Sequence, residues 1–587
     1  MKIVRCFRWG ICFILVLSLG MAAQEAPKLM KAQPHPEYVP GELLVKFKAK
    51  ASIQSMSTHL QQYGINTIRD FARLNIVQCA YSPEVHMEEL ITQLKEDPNV
   101  EYAEPNYIYH ILETTPNDSR FSEQWALNNT GQTGGTPDAD IDAPEAWDTQ
   151  TGNASVIVGI IDTGIDYNHP DLAANIWHNP GESGNGKENN GVDDDGNGYV
   201  DDFRGWDFLN EDNDPFDDNQ HGTHVAGIIG AVGNNNRGVV GINWHVSLVG
   251  LKFLSANGSG STSDAVEAIL YAVDMGIPIL SNSWGGGGSS QALADAIETA
   301  NQAGILFVAA AGNESKDTDT NPNYPSNYPS ENVISVASST DRDQLSSFSN
   351  FGRTTVDLAA PGSNILSTIP NGIYASFSGT SMATPYVSGV AALLRAQFPN
   401  IDHLSLKYRI MGAVDFKNAF ADKMVTEGRL NAANAFSTKP LITTVKHPHT
   451  SDTQNPYGIT AYVVDDHTVT SAKLFYTLSG SATGSDSVNM IQNNLQYTAT
   501  IPAQPLETTI TYFVKATDNQ GNQTTGRTLS FQVTSTPPPP PGGGGCGCAA
   551  AAITIDSGNQ HTDALVTLGL NALLFLALPL IFRRRRK

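Results

Sequence analysis

Between residues 80 and 545 the chain has no cysteine. The five it carries are Cys6, Cys12, Cys79, Cys546 and Cys548, so disulfides and cysteine-type zinc sites are excluded from the central domains. Basic residues are also scarce: 35 Lys and Arg stand against 59 Asp and Glu in 587 residues, a formal charge of −24. Nucleic acid is therefore not an expected partner. Long apolar runs are confined to the two ends. Ile11 to Leu19 follows Lys2, Arg5 and Arg8 and precedes Gly20, Ala22 and Ala23, the pattern of a secretory signal peptide over 1–23, with an uncleaved anchor as the alternative. Residues 564–582, broken only by Thr567 and Asn571, run into the basic end 583–587. That predicts one membrane span with its arginines left in the cytoplasm and the rest of the chain exported, a long buried helix being the alternative.

What lies between is long enough for several domains, and 40% hydrophobic content suffices for globular cores. Residues 36–113 read as a small α+β unit: Tyr38 to Phe47 alternates as a strand, Met87 to Leu94 has helical spacing, and Val100 to Tyr107 closes as a strand. Within 117–436, short β-branched runs (156–161, 246–251, 277–282, 305–310, 333–337) alternate with helical segments (222–231, 262–275, 291–302). This predicts an α/β fold, a parallel sheet covered by helices on both faces, with the ligand site at the C-terminal strand ends. Residues 438–535 are rich in Thr and Val, with strands expected at 457–464, 472–478, 495–501, 509–517 and 528–533 and a hairpin signal at Asp518 to Asn522. They read as a β-sandwich of immunoglobulin or fibronectin III character. A Pro/Gly-rich linker with Cys546 and Cys548 fills 536–563.

Three motifs carry chemistry. Ser381, in Ser378-Gly379-Thr380-Ser381-Met382-Ala383-Thr384-Pro385, opens an Ala-rich helical segment, where unpaired N–H groups and the helix dipole favour the charge that develops when a serine attacks a carbonyl. A serine N-cap is the other reading of that position. His221 and His224, in His221-Gly222-Thr223-His224-Val225-Ala226-Gly227, stand three apart, whereas a helical zinc pair stands four apart around a glutamate. A general base at a helix start, with His224 packed one turn on, fits better. Asp162 follows the first predicted strand, which completes an ordered acid, base and nucleophile.

These stretches, with Ile161-Asp162-Thr163-Gly164-Ile165-Asp166, resemble the three signature motifs of the subtilisin-like serine proteases, nearest the thermitase-like branch. The resemblance implies a serine endopeptidase with Asp162, His221 and Ser381 as its triad and Asn313 donating to the oxyanion. It implies polypeptide substrates laid between Gly258-Ser259-Gly260 and Ser283-Trp284-Gly285, hence broad specificity, with Asn323 at the bottom of the S1 pocket. It further makes 36–113 an inhibitory propeptide, removed by autoprocessing between about His110 and Asn117. The tail resembles prokaryotic C-terminal sorting signals, a plain anchor being equally compatible. A monomer is expected.

Calcium is the expected cofactor. By resemblance, Asp118, Asp171 and Asn235, with main-chain oxygens of Val232, Arg237 and Val239, form a tight site, and Asp207, Asp212 and Asp214 a weaker one. Between His178 and Asn219 thirteen acids face only Lys187 and Arg204, a density that calls for solvation or cations. Asp193, Asp195, Asn197 and Asp201 place oxygens at alternating positions around a Gly turn, like half an EF-hand loop, although Arg204 stands where the closing Glu would be. A flexible acidic surface loop is the alternative. A protein of another class, a surface adhesin with a vestigial catalytic domain, is the competing view of the whole chain.

Overall fold

The computed structural model describes residues 38–48, 53–82, 85–107, 114–479 and 486–535. The expected signal peptide, the linker, the span at 564–582, its basic end and residues 110–113 of the expected processing segment lie outside the described residues. Among the described residues no helix is long and apolar enough to cross a membrane.

The first unit is an antiparallel sheet ordered β2-β3-β1-β4, made of β1 (Tyr38–Phe47), β2 (Asn66–Phe71), β3 (Ile76–Ala80) and β4 (Val100–Tyr107), with helices α1 (Ile53–Gln61) and α2 (Met87–Glu96). Its core includes Leu43, Val45, Leu60, Val77, Leu90 and Leu94. Cys79 belongs to that core, and burial pushes its thiol up to about 12, which leaves it an inert apolar group. Strands β1 and β4 match the sequence reading, whereas α1, β2 and β3 add to it. The exposed β2 has too little apolar alternation to announce itself.

The central unit is a nine-stranded sheet, β14-β15-β11-β10-β9-β8-β5-β7-β6, parallel except at β14. In chain order its elements are α3 (Ala143–Trp147), β5 (Gly152–Asp162), β6 (Gly205–Asp207), α4 (His221–Gly230), β7 (His245–Lys252), α5 (Thr262–Asp274), β8 (Ile279–Asn282), α6 (Gln291–Gln302), β9 (Leu306–Ala310), β10 (Val333–Ser339), β11 (Leu358–Pro361), the hairpin β12 (Ile365–Ile369) and β13 (Ile373–Phe377), α7 (Thr380–Gln397), α8 (His403–Gly412), β14 (Asp415–Phe416) and β15 (Gly428–Arg429). Strands β8, β9 and β10 are buried throughout, because helices cover both faces and two separate apolar clusters form across the sheet. Helices α4, α7 and α8 serve one cluster and α5 and α6 the other.

The last unit faces one sheet, β16 (Leu441–Thr444), β17 (Tyr457–Val464), β21 (Gln496–Ile501) and β20 (Ile491–Asn493), against a second of β18 (Val469–Leu478), β19 (Asp486–Asn489), β22 (Thr508–Asp518), β23 (Gln523–Thr525) and β24 (Leu529–Val533). One apolar core, with Ile459, Leu474, Tyr512 and Phe531, joins the two sheets. This sandwich is fastened to the central unit. Tyr408 of α8 and Tyr462 of β17 stack at 3.8 Å and 8°. Lys446 Nζ reaches Asp422 at 2.5 Å and Glu427 at 3.2 Å, and Arg527 pairs with the buried Glu427. Tyr408→Ala is expected to remove about 3 kcal/mol of stability, read by denaturant unfolding, and to open residues 437–440 to limited proteolysis.

Candidate active site

Parallel strands end on the same rim, and the site is built from the residues at and just beyond their ends. Asp162 is the last residue of β5, in register with Lys252 at the end of β7. Its carboxylate is fully buried, and Oδ1 meets His221 Nδ1 at 2.7 Å and accepts from Thr163 N at 2.7 Å. Burial disfavours the imidazolium of His221. The adjacent Asp162, by charge and by hydrogen bond, with Asp217 behind it, outweighs that cost and raises the His221 pKa above its ordinary value.

The start of α4 is anchored by a carboxylate that the sequence motifs do not single out. Asp217, buried, accepts from Thr163 Oγ1 at 2.9 Å and from Thr223 N and Oγ1 at 2.9 and 2.6 Å. It also takes the amides of Asn219 and Gln220. A buried Lys252 donates to Thr163 O, Leu254 O and Asp218. Gly222 is required here, since a Cβ would fall 2.1 Å from Gly164 O. An Asp four residues ahead of the His-Gly-Thr-His run was the available signal for Asp217. His224 is structural, as expected: it is buried, its Nε2 lies 3.0 and 3.1 Å from Ile365 O and Ala375 O, and burial drives its pKa down to about 3.

Ser381 lies in the first turn of α7, and its N–H finds no acceptor among the described residues, as expected of a helix N-terminus. Pro385, one turn on, has no N–H to give to Ser381 O, and that carbonyl instead accepts from Ser283 Oγ at 2.8 Å. The Ser381 hydroxyl in turn donates to Ser283 O at 3.0 Å. No hydrogen bond joins it to His221, which departs from the proton-relay line expected of the triad. The hydroxyl has taken the free carbonyl nearest to it. Catalytic hydrogen bonds of this kind are often made only with substrate present.

Asn313, after β9, is held through its Oδ1, which accepts from Thr380 N at 2.8 Å and Thr380 Oγ1 at 3.0 Å. Its Nδ2 is left free. A Cβ placed on Gly379 would lie 3.5 Å from Ser381 N and 3.7 Å from Asn313 Nδ2, so both donors border the same small space.

The predicted substrate edges flank this point. Gly258, Ser259 and Gly260 follow β7 in an exposed loop closed by Ser255 N to Ser259 O at 2.9 Å. Ser283, Trp284 and Gly285 follow β8, with Trp284 edge-on to Phe253 at 4.9 Å. Asn323 sits between two glycine segments: a Cβ on Gly285 would be 2.9 Å, and one on Gly312 3.1 Å, from its Nδ2, which is buried without a partner.

Asp118 and Asp171 are both buried and are wrapped by the 232–239 loop. Asp118 Oδ2 accepts from Asn234 N at 2.6 Å, while Oδ1 is buried with no partner. Asp171 accepts from Asn235 Nδ2, Val239 N and Tyr374 Oη. Burial, with Asp171 nearby, pushes the Asp118 carboxyl up to about 6. The carbonyls of Val232, Arg237 and Val239 accept no hydrogen bond among the described residues. Gly238 leaves the space open, since a Cβ there would be 2.4 Å from Asp171 Oδ2.

The second expected set is not brought together. Asp207 turns to Leu209 N and Asn210 N, Asp212 to Asp214 N, and Asp214 to Tyr167 Oη, because each carboxylate closes on nearby donors in and around a tight turn. The half-EF-hand set is split as well. Asp193 and Asp195 converge with Glu182, but Asn197 Nδ2 is tied to Asp202 and Asp201 caps Asn190 N and Gly191 N.

Known proteins match the chain in two of its units. The subtilase family model matches residues 153–438, and the fervidolysin N-terminal prodomain model matches 24–106. The thermophilic serine proteinase of Bacillus sp. (strain AK1) is 35% identical over 403 residues, covering 68% of this chain and 88% of that protein. Thermitase of Thermoactinomyces vulgaris is 41% identical over 48% of this chain and 86% of its own, and an extracellular protease of Xanthomonas campestris 39% identical over 53% and 54%. The chain belongs to the subtilase family. It is a serine endopeptidase with a prodomain of the fervidolysin type. Asp217→Ala, which strands the Thr223 and Gln220 amides at the start of α4, is expected to cost about 2–3 kcal/mol in denaturant unfolding.

Proposed function

We propose that the chain is exported as an autoprocessed precursor and acts as a calcium-stabilised endopeptidase of broad specificity, with Ser381 as nucleophile, His221 as base and acid, Asp162 as its orienting carboxylate and Asn313 as oxyanion donor. The observation that carries this reading is the 2.7 Å contact of buried Asp162 with His221 on the rim where α7 presents Ser381. The division that goes with it is a signal peptide at 1–23, a propeptide at 36–113, a catalytic domain at 117–436, a sandwich at 438–535 and a sorted or membrane-tethered tail. Export is supported by the relatives, one of which is named an extracellular protease.

With a peptide in the cleft, the Ser381 hydroxyl turns from Ser283 O to His221 Nε2 and gives up its proton as Oγ attacks the carbonyl carbon. Ser381 N and Asn313 Nδ2 donate to the oxygen as it becomes negative. The imidazolium, held by Asp162, then protonates the leaving amine while the C–N bond breaks. Water repeats the sequence on the acyl-enzyme and releases the acid. Substrate pairs as a strand with 258–260 and 283–285, and main-chain pairing together with the uncharged Asn323 supports tolerance at P1.

Calcium is assigned to Asp118, Asp171 and Asn235 with the Val232, Arg237 and Val239 carbonyls. The stranded Asp118 Oδ1 and the unbonded carbonyls support that fit. When bound, the ion neutralises two buried carboxylates and takes no part in the bond-breaking steps.

Ser381→Ala is expected to leave the precursor uncut on gels and to escape labelling by phenylmethylsulfonyl fluoride. Normal processing in that variant would assign maturation to another protease. An inert Ser381 in the processed wild type would favour the adhesin with a vestigial domain. Asn313→Ala is expected to lower kcat by ~10²–10³, the loss known for one oxyanion donor in subtilisin itself. His221 must be neutral to accept the proton, and its pKa is raised. The acidic limb of kcat/KM is therefore expected to lie above the ordinary imidazole value, activity growing as pH rises through it. Chelation by EDTA is expected to lower Tm by roughly 5–10 °C while initial rates change much less. An unchanged Tm would remove calcium from this reading.

A further inference from the structure

The acidic insertion between β5 and α4 contains a carboxylate whose environment calls for a cation. Glu182 is fully buried. Its Oε1 accepts from Asp194 N at 2.6 Å and Asp195 N at 3.3 Å, and its Oε2 is buried with no hydrogen-bond partner among the described residues. One oxygen each of Glu182, Asp193 and Asp195 lie within 4.8 Å of one another. The two segments that carry them are locked together, for a Cβ on Gly181 would fall 2.4 Å from Asp195 Cβ. Asp195 is also tied to Asn179 Nδ2 at 2.9 Å.

Among the described residues no Lys or Arg forms an ion pair with Glu182, Asp193 or Asp195, although Lys187 lies beside them. Lys187 Nζ donates to Gly181 O at 2.8 Å and stands 4.0 Å from Asp194. The Arg204 guanidinium lies over the rings of Tyr167 and Phe203 at 4.7 and 4.9 Å. Asp193 accepts from Gly196 N at 2.6 Å and Gly198 N at 2.9 Å, and Asp195 from Asn197 N at 3.1 Å, so it is the stranded Glu182 Oε2, close to two further carboxylates, that calls for a positive charge. The donors are all oxygen, with no imidazole or thiolate among them, which suits a hard cation that takes six to eight oxygen ligands.

We propose that Glu182, Asp193 and Asp195 hold a Ca²⁺ ion that clamps the 179–182 segment to the 193–198 turn. The site is separate from the one at Asp118 and Asp171 and does not rest on the protease reading. It replaces the half-EF-hand set, in which Asp201 turns to Asn190 N and Gly191 N and Asn197 Oδ1 accepts from Tyr199 N at 2.8 Å. The 193–198 turn is tied onward to α5, since Asn197 Nδ2 and Tyr271 Oη both donate to Asp202 Oδ2, at 2.9 and 2.6 Å.

The test uses the full chain carrying Ser381→Ala, so that autolysis does not intrude, stripped with chelator and titrated with CaCl₂ by calorimetry and with Tb³⁺ by luminescence. Adding Glu182→Gln is expected to remove one equivalent of bound Ca²⁺ or weaken it at least tenfold, and to make trypsin cleavage at Lys187 independent of calcium. Adding Asp118→Asn instead is expected to affect a different equivalent, so the two sites fail separately. Unchanged stoichiometry and affinity in Glu182→Gln would overturn the proposal and leave Glu182 a carboxyl that holds a proton. If Glu182→Gln does not fold, Asp193→Asn and Asp195→Asn are read in the same way, and full calcium binding in both would overturn it.

Discussion

The burial of α7 is the constraint on which the rest of this structure depends. From Met382 to Leu394 each residue is buried, and the helix packs along β5, β8, β9, β10 and β11 with α4 and α8 beside it. A helix enclosed on all sides has no freedom to slide or turn, so its first turn is fixed relative to every strand end. Ser381, Asn313 through Thr380, and Ser283 through two hydrogen bonds to the serine take their positions from that one helix. Pro385, which weakens an isolated helix, serves the assembly here by leaving the Ser381 carbonyl for Ser283.

Negative charge held in place is the second constraint. Asp162 is held through Oδ1 by His221 Nδ1 and the Thr163 amide, its Oδ2 being buried without a partner among the described residues, and Asp217 is held by hydroxyl and amide donors. Asp118 and Glu182 each keep one oxygen with no partner. Among the described residues no lysine or arginine reaches either of these oxygens. On the calcium readings proposed above, these two oxygens are where an external cation binds. Asp207 and Asp212 are instead satisfied by amides of their own turn and Asp214 by the Tyr167 hydroxyl, and none of the three has an oxygen buried without a partner among the described residues.

Strand-helix alternation and the three glycine-punctuated motifs made the parallel sheet and the proposed catalytic trio legible in the residue order, since both arise from local periodicity and turn chemistry. Helix 291–302 and strand 457–464 fall within the bounds read from pattern alone. The short pieces β6, β14 and β15 are two or three residues long. They have no period of their own and exist only because neighbouring strands offer them hydrogen bonds.

The primary sequence by itself determined which residues could do the chemistry: an acid, a histidine and a serine, each beside glycines at the end of a regular element. Only the tertiary structure decided which carboxylates meet. Glu182 joins Asp193 and Asp195 across a loop, Asp217 rather than a nearer acid anchors α4, and the Ser381 hydroxyl rests on Ser283 instead of His221. Residue type and spacing set what a side chain can do, but the direction of a side chain and its loss of water depend on contacts made by segments far apart in the chain, which local pattern does not encode.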